Sequence, residues 1–187
     1  HAIADVNDLV VLVDDKNTPD TADDEPFDAP GNIGDAEAWS MELNFSSRLP
    51  LIPNARITID AEFWDTEVND PITGNPRSIS WKPETEVDVA FRQDFSSQRW
   101  SWGIEAHKQG EGQGFRMAEI DTQEEGPWVD LWWETTALPN HMKLRLWAAN
   151  IGNGQVLRDR RFFGSDDGND LNNTRLDPLL RQQIDSR

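Results

Sequence analysis

Six separate segments alternate apolar and polar residues with a period of two, and in none of them does the apolar side carry a charge. Trp39, Met41, Leu43 and Phe45 stand against Ser40, Glu42 and Asn44, and Ile57, Ile59, Ala61 and Phe63 against Thr58, Asp60, Glu62 and Trp64. Val87, Val89 and Phe91 oppose Glu86, Asp88, Ala90 and Arg92; Trp100, Trp102, Ile104 and Ala106 oppose Ser101, Gly103, Glu105 and His107. Val129, Leu131 and Trp133 oppose Asp130, Trp132 and Glu134; Met142, Leu144, Leu146 and Ala148 oppose Lys143, Arg145 and Trp147. Successive side chains of a strand point to opposite faces, so this period encodes strands with one uncharged and one ionisable face. A continuous apolar run at 9–13 makes a seventh strand whose facing stays ambiguous. The fold class expected is all-β and antiparallel.

The connections alternate in length. Short links occupy 46–55, 95–99 and 137–140; long ones, rich in Pro, Gly, Asn and Asp, occupy 14–35, 65–84 and 108–127, and 150–180 makes a fourth. Within these, 115–121 and 156–163 have the composition to extend strands. Antiparallel neighbours send every second connection to the same rim, and short turns on one rim with long loops on the other are the pattern of an up-and-down transmembrane β-barrel. Trp39, Phe45, Phe63, Trp100 and Trp133 stand near strand ends, as interfacial aromatic girdles do. In that reading Glu42, Asp60, Glu62, Asp88, Arg92, Glu105, Glu134 and Arg145 look into an aqueous lumen, where they are the candidate ligand-binding residues.

A soluble β-sandwich alternates in the same way, its uncharged faces packed into a shared core. That alternative is a secreted carbohydrate-binding module with Trp64, Trp132 or Trp147 as an open stacking platform, and it requires a closed core.

Composition narrows the function classes. Lys plus Arg number 17 against 35 Asp plus Glu, a net charge of −18. No basic footprint for nucleic acid exists, so no nucleic-acid partner is expected. Cysteine is absent, which excludes disulfides and Cys-ligated zinc. No run of about 18 apolar residues occurs, so no transmembrane helix is encoded; membrane strands leave no such signal. No secretory leader pattern opens the sequence.

Catalytic motifs are missing. There is no nucleophile elbow, and Gly110, Gly112 and Gly114 lack the Lys of a phosphate-binding loop. His1, His107 and His141 are far apart in sequence, and no metal or other cofactor is expected. The carboxylate pairs Asp60 with Glu62 and Glu86 with Asp88 have a spacing a glycosidase fragment could use, yet charge on a wetted face explains them more simply. The acidic stretches 14–25 and 165–173 supply clustered oxygens without EF-hand spacing, and Asn172 opens a formal glycosylation sequon.

The segment APGNIGDAEAWSMELN resembles the late barrel of TonB-dependent outer-membrane receptors of Gram-negative bacteria, and LPLIPNARITIDAEFWDTEVNDPITGNPRSIS resembles a periplasmic turn, strand and external loop of that family. VAFRQDFSSQRWSWGIE and GPWVDLWWETTALPNHMKLRLWAANIGN resemble the two following hairpins. The likeness runs from about Ala29 to Phe163 and rests on the order and spacing of these segments. Family barrels use Tyr heavily, and this chain has none, so Trp and Phe carry the girdles. What the resemblance implies is a partial barrel domain over 1–187, about seven strands of the roughly 22 in plugged transporters, with the closing strand and the plug outside this sequence. It further implies a non-enzymatic receptor in the cell outer membrane, with lipid around it, the TonB complex acting through the plug, and a small scarce ligand: an iron chelate, vitamin or oligosaccharide.

Overall fold

The computed structural model describes residues 2–14, 16–17, 25–163 and 178–186, without the side chains of 25, 26, 141 and 178–186. Five of the six alternating segments lie whole in antiparallel strands of one sheet, and the sixth joins it only from Leu144, leaving Met142 and Lys143 outside: β4 (Ala36–Arg48), β5 (Ala55–Asn69), β7 (Thr85–Phe95), β8 (Trp100–Arg116), β9 (Glu119–Thr135) and β10 (Leu144–Ala148). Two short strands, β1 (Ala2–Ile3) and β6 (Pro76–Arg77), pair with β4 and β5. β11 (Val156–Phe163) and β12 (Pro178–Ser186) complete the sheet, whose order is β1-β4-β5-β7-β8-β9-β11-β12. The path is a meander and does not close on itself. The apolar run at 9–13 falls in β2 (Asn7–Asp14), which forms a separate hairpin with β3 (Glu25–Asn32).

Twelve strands are described where about seven were expected, and the long connections carry more strand than their composition suggests, in three places. First, 108–127 is not a loop: β8 and β9 run on as a hairpin to a two-residue turn at Met117 and Ala118. Second, β9 is long enough to pair with two partners, β10 along 131–135 and β11 along 119–125. Residues 149–155 bulge out between them, held by Asn150 N–H donating to Asp130 Oδ1 at 2.8 Å and by Ile151 N–H donating to Val129 O at 2.7 Å. Third, 25–32 is a strand despite Pro26, Pro30 and Gly31, which an edge strand tolerates.

The register makes each face continuous, because directly paired residues share a side. Phe45, Ile59, Val89, Ala106 and Val129 stand in one row across five strands. Ile57, Phe91, Ile104, Leu131 and Ala148 form the next, and Trp102, Trp133 and Leu146 the one after. Phe95 stacks on Trp100 with ring centroids 4.0 Å apart, and Phe91 tilts against Trp102 at 5.2 Å, so aromatics gather at the short-turn end.

No second layer covers this face among the described residues. Among the described residues only ten apolar ones are buried, four of them alanine, while eighteen large apolar side chains are exposed. The apolar core cluster is small: Val6, Ala36 and Val68, with Ile33 and Ile79 against them. The accessible surface is 12396 Å², whereas a compact monomer of 21.3 kDa has about 9,100 Å². The dry shared interior that a sandwich requires is not found among the described residues.

Candidate functional site

Two regions carry the polar chemistry. On the face opposite the apolar rows, the register brings all eight predicted lumen residues together. Glu42, Glu62 and Glu86 stand side by side, and Asp60, Asp88 and His107 form the row beneath. Glu105 pairs with Asp130 further along, and the next row holds Arg48, Arg56 and Arg92. Glu134 pairs with Ser101 on one side and Arg145 on the other. The face thus runs from acidic near the long loops to basic and aromatic near the short turns.

Its acidic rows set like charges directly opposite one another, which disfavours the pairing. Part of that cost is offset locally. Asn44 Nδ2 donates to Glu42 Oε1 at 2.6 Å, Lys82 Nζ lies 3.8 Å from Glu62, and His107 Nδ1 is 2.9 Å from Asp88 Oδ1. Glu86, Asp88 and His107 each bring one donor atom to within 4.8 Å of the others. That mixed oxygen and imidazole set is spaced to hold a divalent ion, although sequence reasoning expected none. The acidic stretch 165–173, Asn172 and His1 lie outside the described residues, as do most of 14–25 and the side chain of His141.

At the basic end, Trp132 is buried and donates its ring N–H to Glu105 Oε1 at 2.8 Å. It lies over Gly103, where an added Cβ would come within 2.5 Å of the ring. The Arg92 and Arg145 guanidinium groups flank it at 5.2 and 4.9 Å from its centroid. Trp132 is therefore a packed side chain and no open platform, and Trp64 is capped by Lys82 at 3.7 Å from its centroid. Trp147 is exposed, with Arg145 stacked on it at 4.6 Å.

The second region is a cleft of about 660 Å³ at the long-loop rim, between the β2–β3 hairpin and the upper ends of β8, β9 and β11. Its size is that of ligand pockets in general. The sequence marks 14–35, 65–84, 108–127 and 150–180 as long segments without singling one out for ligand contact. The cleft takes residues from all four: Asp28 and Pro30, Ser80 and Trp81, Gly114 with Glu119 and Asp121, and Arg158 with Arg160.

A buried ion triad seats the hairpin. Arg77 Nη1 is 3.0 Å from Asp8 Oδ2, and its Nε is 2.8 Å from Asp70 Oδ2; the Arg77 side chain is 6% exposed and both carboxylates 2%. Asp70 also accepts from Ile72 and Thr73 N–H at 2.9 Å, which shapes the turn that presents Arg77. Ser80 donates its hydroxyl to Asp8 at 2.5 Å and its N–H at 2.8 Å, and Phe115 lies under the guanidinium at 4.3 Å. Burial alone would raise the Asp8 carboxyl. The Arg77 guanidinium, with the Ser80 and Leu9 donors, outweighs burial and holds Asp8 below its ordinary value of 3.8. On the hairpin's other strand, Asp28 Oδ2 accepts the Met117 N–H at 3.1 Å.

Trp81 lines this cleft with 53% of its surface exposed and with φ at 60°. A bulky residue in the left-handed region is an outlier that costs about 1–3 kcal/mol and persists only where its surroundings enforce it. Here the Trp81 N–H donates to Gln113 O at 2.7 Å, and the ring lies against Gly114, where a Cβ would come within 2.0 Å of it. Nearby, Arg158 forks onto Asp121 and Arg160 pairs with Glu119. No periodicity in the sequence marks Trp81; its flanking Pro and Gly signal only a loop.

No protein-family model, curated protein or solved structure matches the chain.

Proposed function

We propose that this chain is part of the wall of an outer-membrane β-barrel of the TonB-dependent receptor type, and that it serves uptake of a scarce small-molecule ligand. In this reading the apolar rows face lipid, the ionisable rows face an aqueous lumen, and the rim carrying the hairpin and the cleft faces outward. Energy for uptake comes from the TonB complex acting on a plug domain.

One observation carries the reading: an uncharged face continues across six strands with nothing packed on it among the described residues. Water-soluble proteins rarely leave so broad an apolar surface open. The dimensions agree. In β7 the span from Val87, whose partner Lys108 marks the upper edge of the uncharged face, to Phe95 is nine residues, which rises about 30 Å along a strand and about 23 Å along the membrane normal at a 40° tilt, close to the apolar band of such barrels. β8 and β9, at 17 residues each, exceed the ~9–11 a membrane strand needs, and the excess builds the rim.

The intact protein is expected to migrate faster in detergent gels unboiled than boiled, as a barrel that resists the detergent does. Monomeric solubility without any detergent contradicts the reading.

A further inference from the structure

We propose that the rim cleft binds a neutral saccharide, with Trp81 as the surface on which a sugar ring stacks. This deepens the receptor reading by naming a ligand class, and it rests on that reading only for the side from which ligand arrives. Three observations lead to it.

The first is the position of Trp81. An exposed indole is held rigidly in an unfavourable backbone conformation, supported from behind by the bare backbone of Gly114. Packing does not require this, since the residue is more than half exposed. A fixed, open aromatic surface suits the C–H face of a pyranose, which is apolar on one side and rimmed with hydroxyls.

The second is the pairing of the charges around it. Arg158 with Asp121 and Arg160 with Glu119 are already joined in hydrogen-bonded pairs, the first of them forked. A charged ligand would have to break those pairs. A ligand with neutral hydroxyls need not, because each carboxylate keeps lone pairs to accept with and each guanidinium keeps N–H groups to donate. Such arrays match adjacent hydroxyls on a sugar.

The third is convergence. Trp81, Asp28 of the hairpin and the two ion pairs come from four separate stretches of chain that enclose one cleft of about 660 Å³. That volume admits a di- or trisaccharide rather than a single ring.

The test is a calorimetric titration of the intact protein, in a detergent without a sugar headgroup, with maltotriose, cellotriose and tri-N-acetylchitotriose. At least one is expected to bind and to change tryptophan fluorescence. Trp81→Ala is expected to weaken that binding by at least about tenfold, and Trp39→Ala, on the apolar face, to leave it unchanged. No binding of any of the three overturns the proposal. So does affinity within about threefold of the parent in a Trp81→Ala protein that keeps its strand circular dichroism. If Trp81→Ala loses that signal, Gly114→Ala decides by the same criterion, because it keeps every side chain and displaces only the ring. The unboiled-gel shift reports the barrel reading separately, so failure of one is not failure of the other.

Discussion

Replacing Arg77 with methionine is expected to release the β2–β3 hairpin from the rim and to cost about 3–5 kcal/mol, the penalty for leaving a buried charge without its partner. The large value follows from the geometry. Arg77 lies between two carboxylates, Asp8 and Asp70, and none of the three side chains is more than 6% exposed. Without the guanidinium, two buried anions face one another. Asp8 keeps its Ser80 donors and Asp70 keeps its turn, so the weak point is the seam between the hairpin and the sheet. Hydrogen exchange checks this: amides of 7–14 and 25–32 are expected to lose protection while the paired core of β7 and β8 keeps its own. Uniform loss of protection, or none, contradicts it. Acid produces the same release by the opposite route. Asp8 in the folded protein titrates below its ordinary 3.8, so its contribution is complete above that pH and is lost only as the pH falls through the lower folded value.

Arginine in place of Val89 is expected to be the most damaging single change on the sheet's apolar face. Val89 stands at the centre of the row from Phe45 to Val129. At the middle of a bilayer an arginine on the lipid face costs about 2–4 kcal/mol, falling toward the interfaces. Asp88→Arg, one residue away on the other face, places a cation among Asp60, Glu86 and His107, and is expected to be neutral or stabilising because it relieves like-charge pairing. Denaturant titration of the protein folded into lipid vesicles measures both. Equal effects of the two substitutions contradict the assignment of the faces.

Much of this architecture was legible in the sequence, and the parts that were not have a common cause. Period-two alternation identifies a strand only where its two faces meet different surroundings. Across 57–63 and 87–91 they do, and both segments pair as the pattern required. Toward the rim β8 loses that contrast: one side carries Gly110, Gly112 and Gly114 between Lys108 and Arg116, and the other carries Gln109, Glu111 and Gln113 before Phe115, so the stretch reads as a loop although Gly112, Gly114 and Phe115 are buried. The eight lumen candidates share one face because register preserves parity from strand to strand. The rim cleft was beyond reach for a different reason. Asp8 and Arg77 are 69 residues apart, and nothing local signals that they meet. Trp81 stands alone among loop residues and gains its role from Gly114, which itself looked like one glycine of a spent phosphate-loop pattern.

What each face of the sheet touches is directly measurable, because the chain has no native cysteine. Spin labels attached to single cysteines at each position from 86 to 91, in the intact protein in lipid vesicles, report collisions with oxygen, which dissolves in lipid, and with a water-soluble nickel chelate. Strict alternation is expected: labels at 87, 89 and 91 collide with oxygen, and labels at 86, 88 and 90 with nickel. Labels at 87, 89 and 91 that are immobile and shielded from both reagents would mean a dry protein interior and would overturn the assignment of the apolar face to lipid.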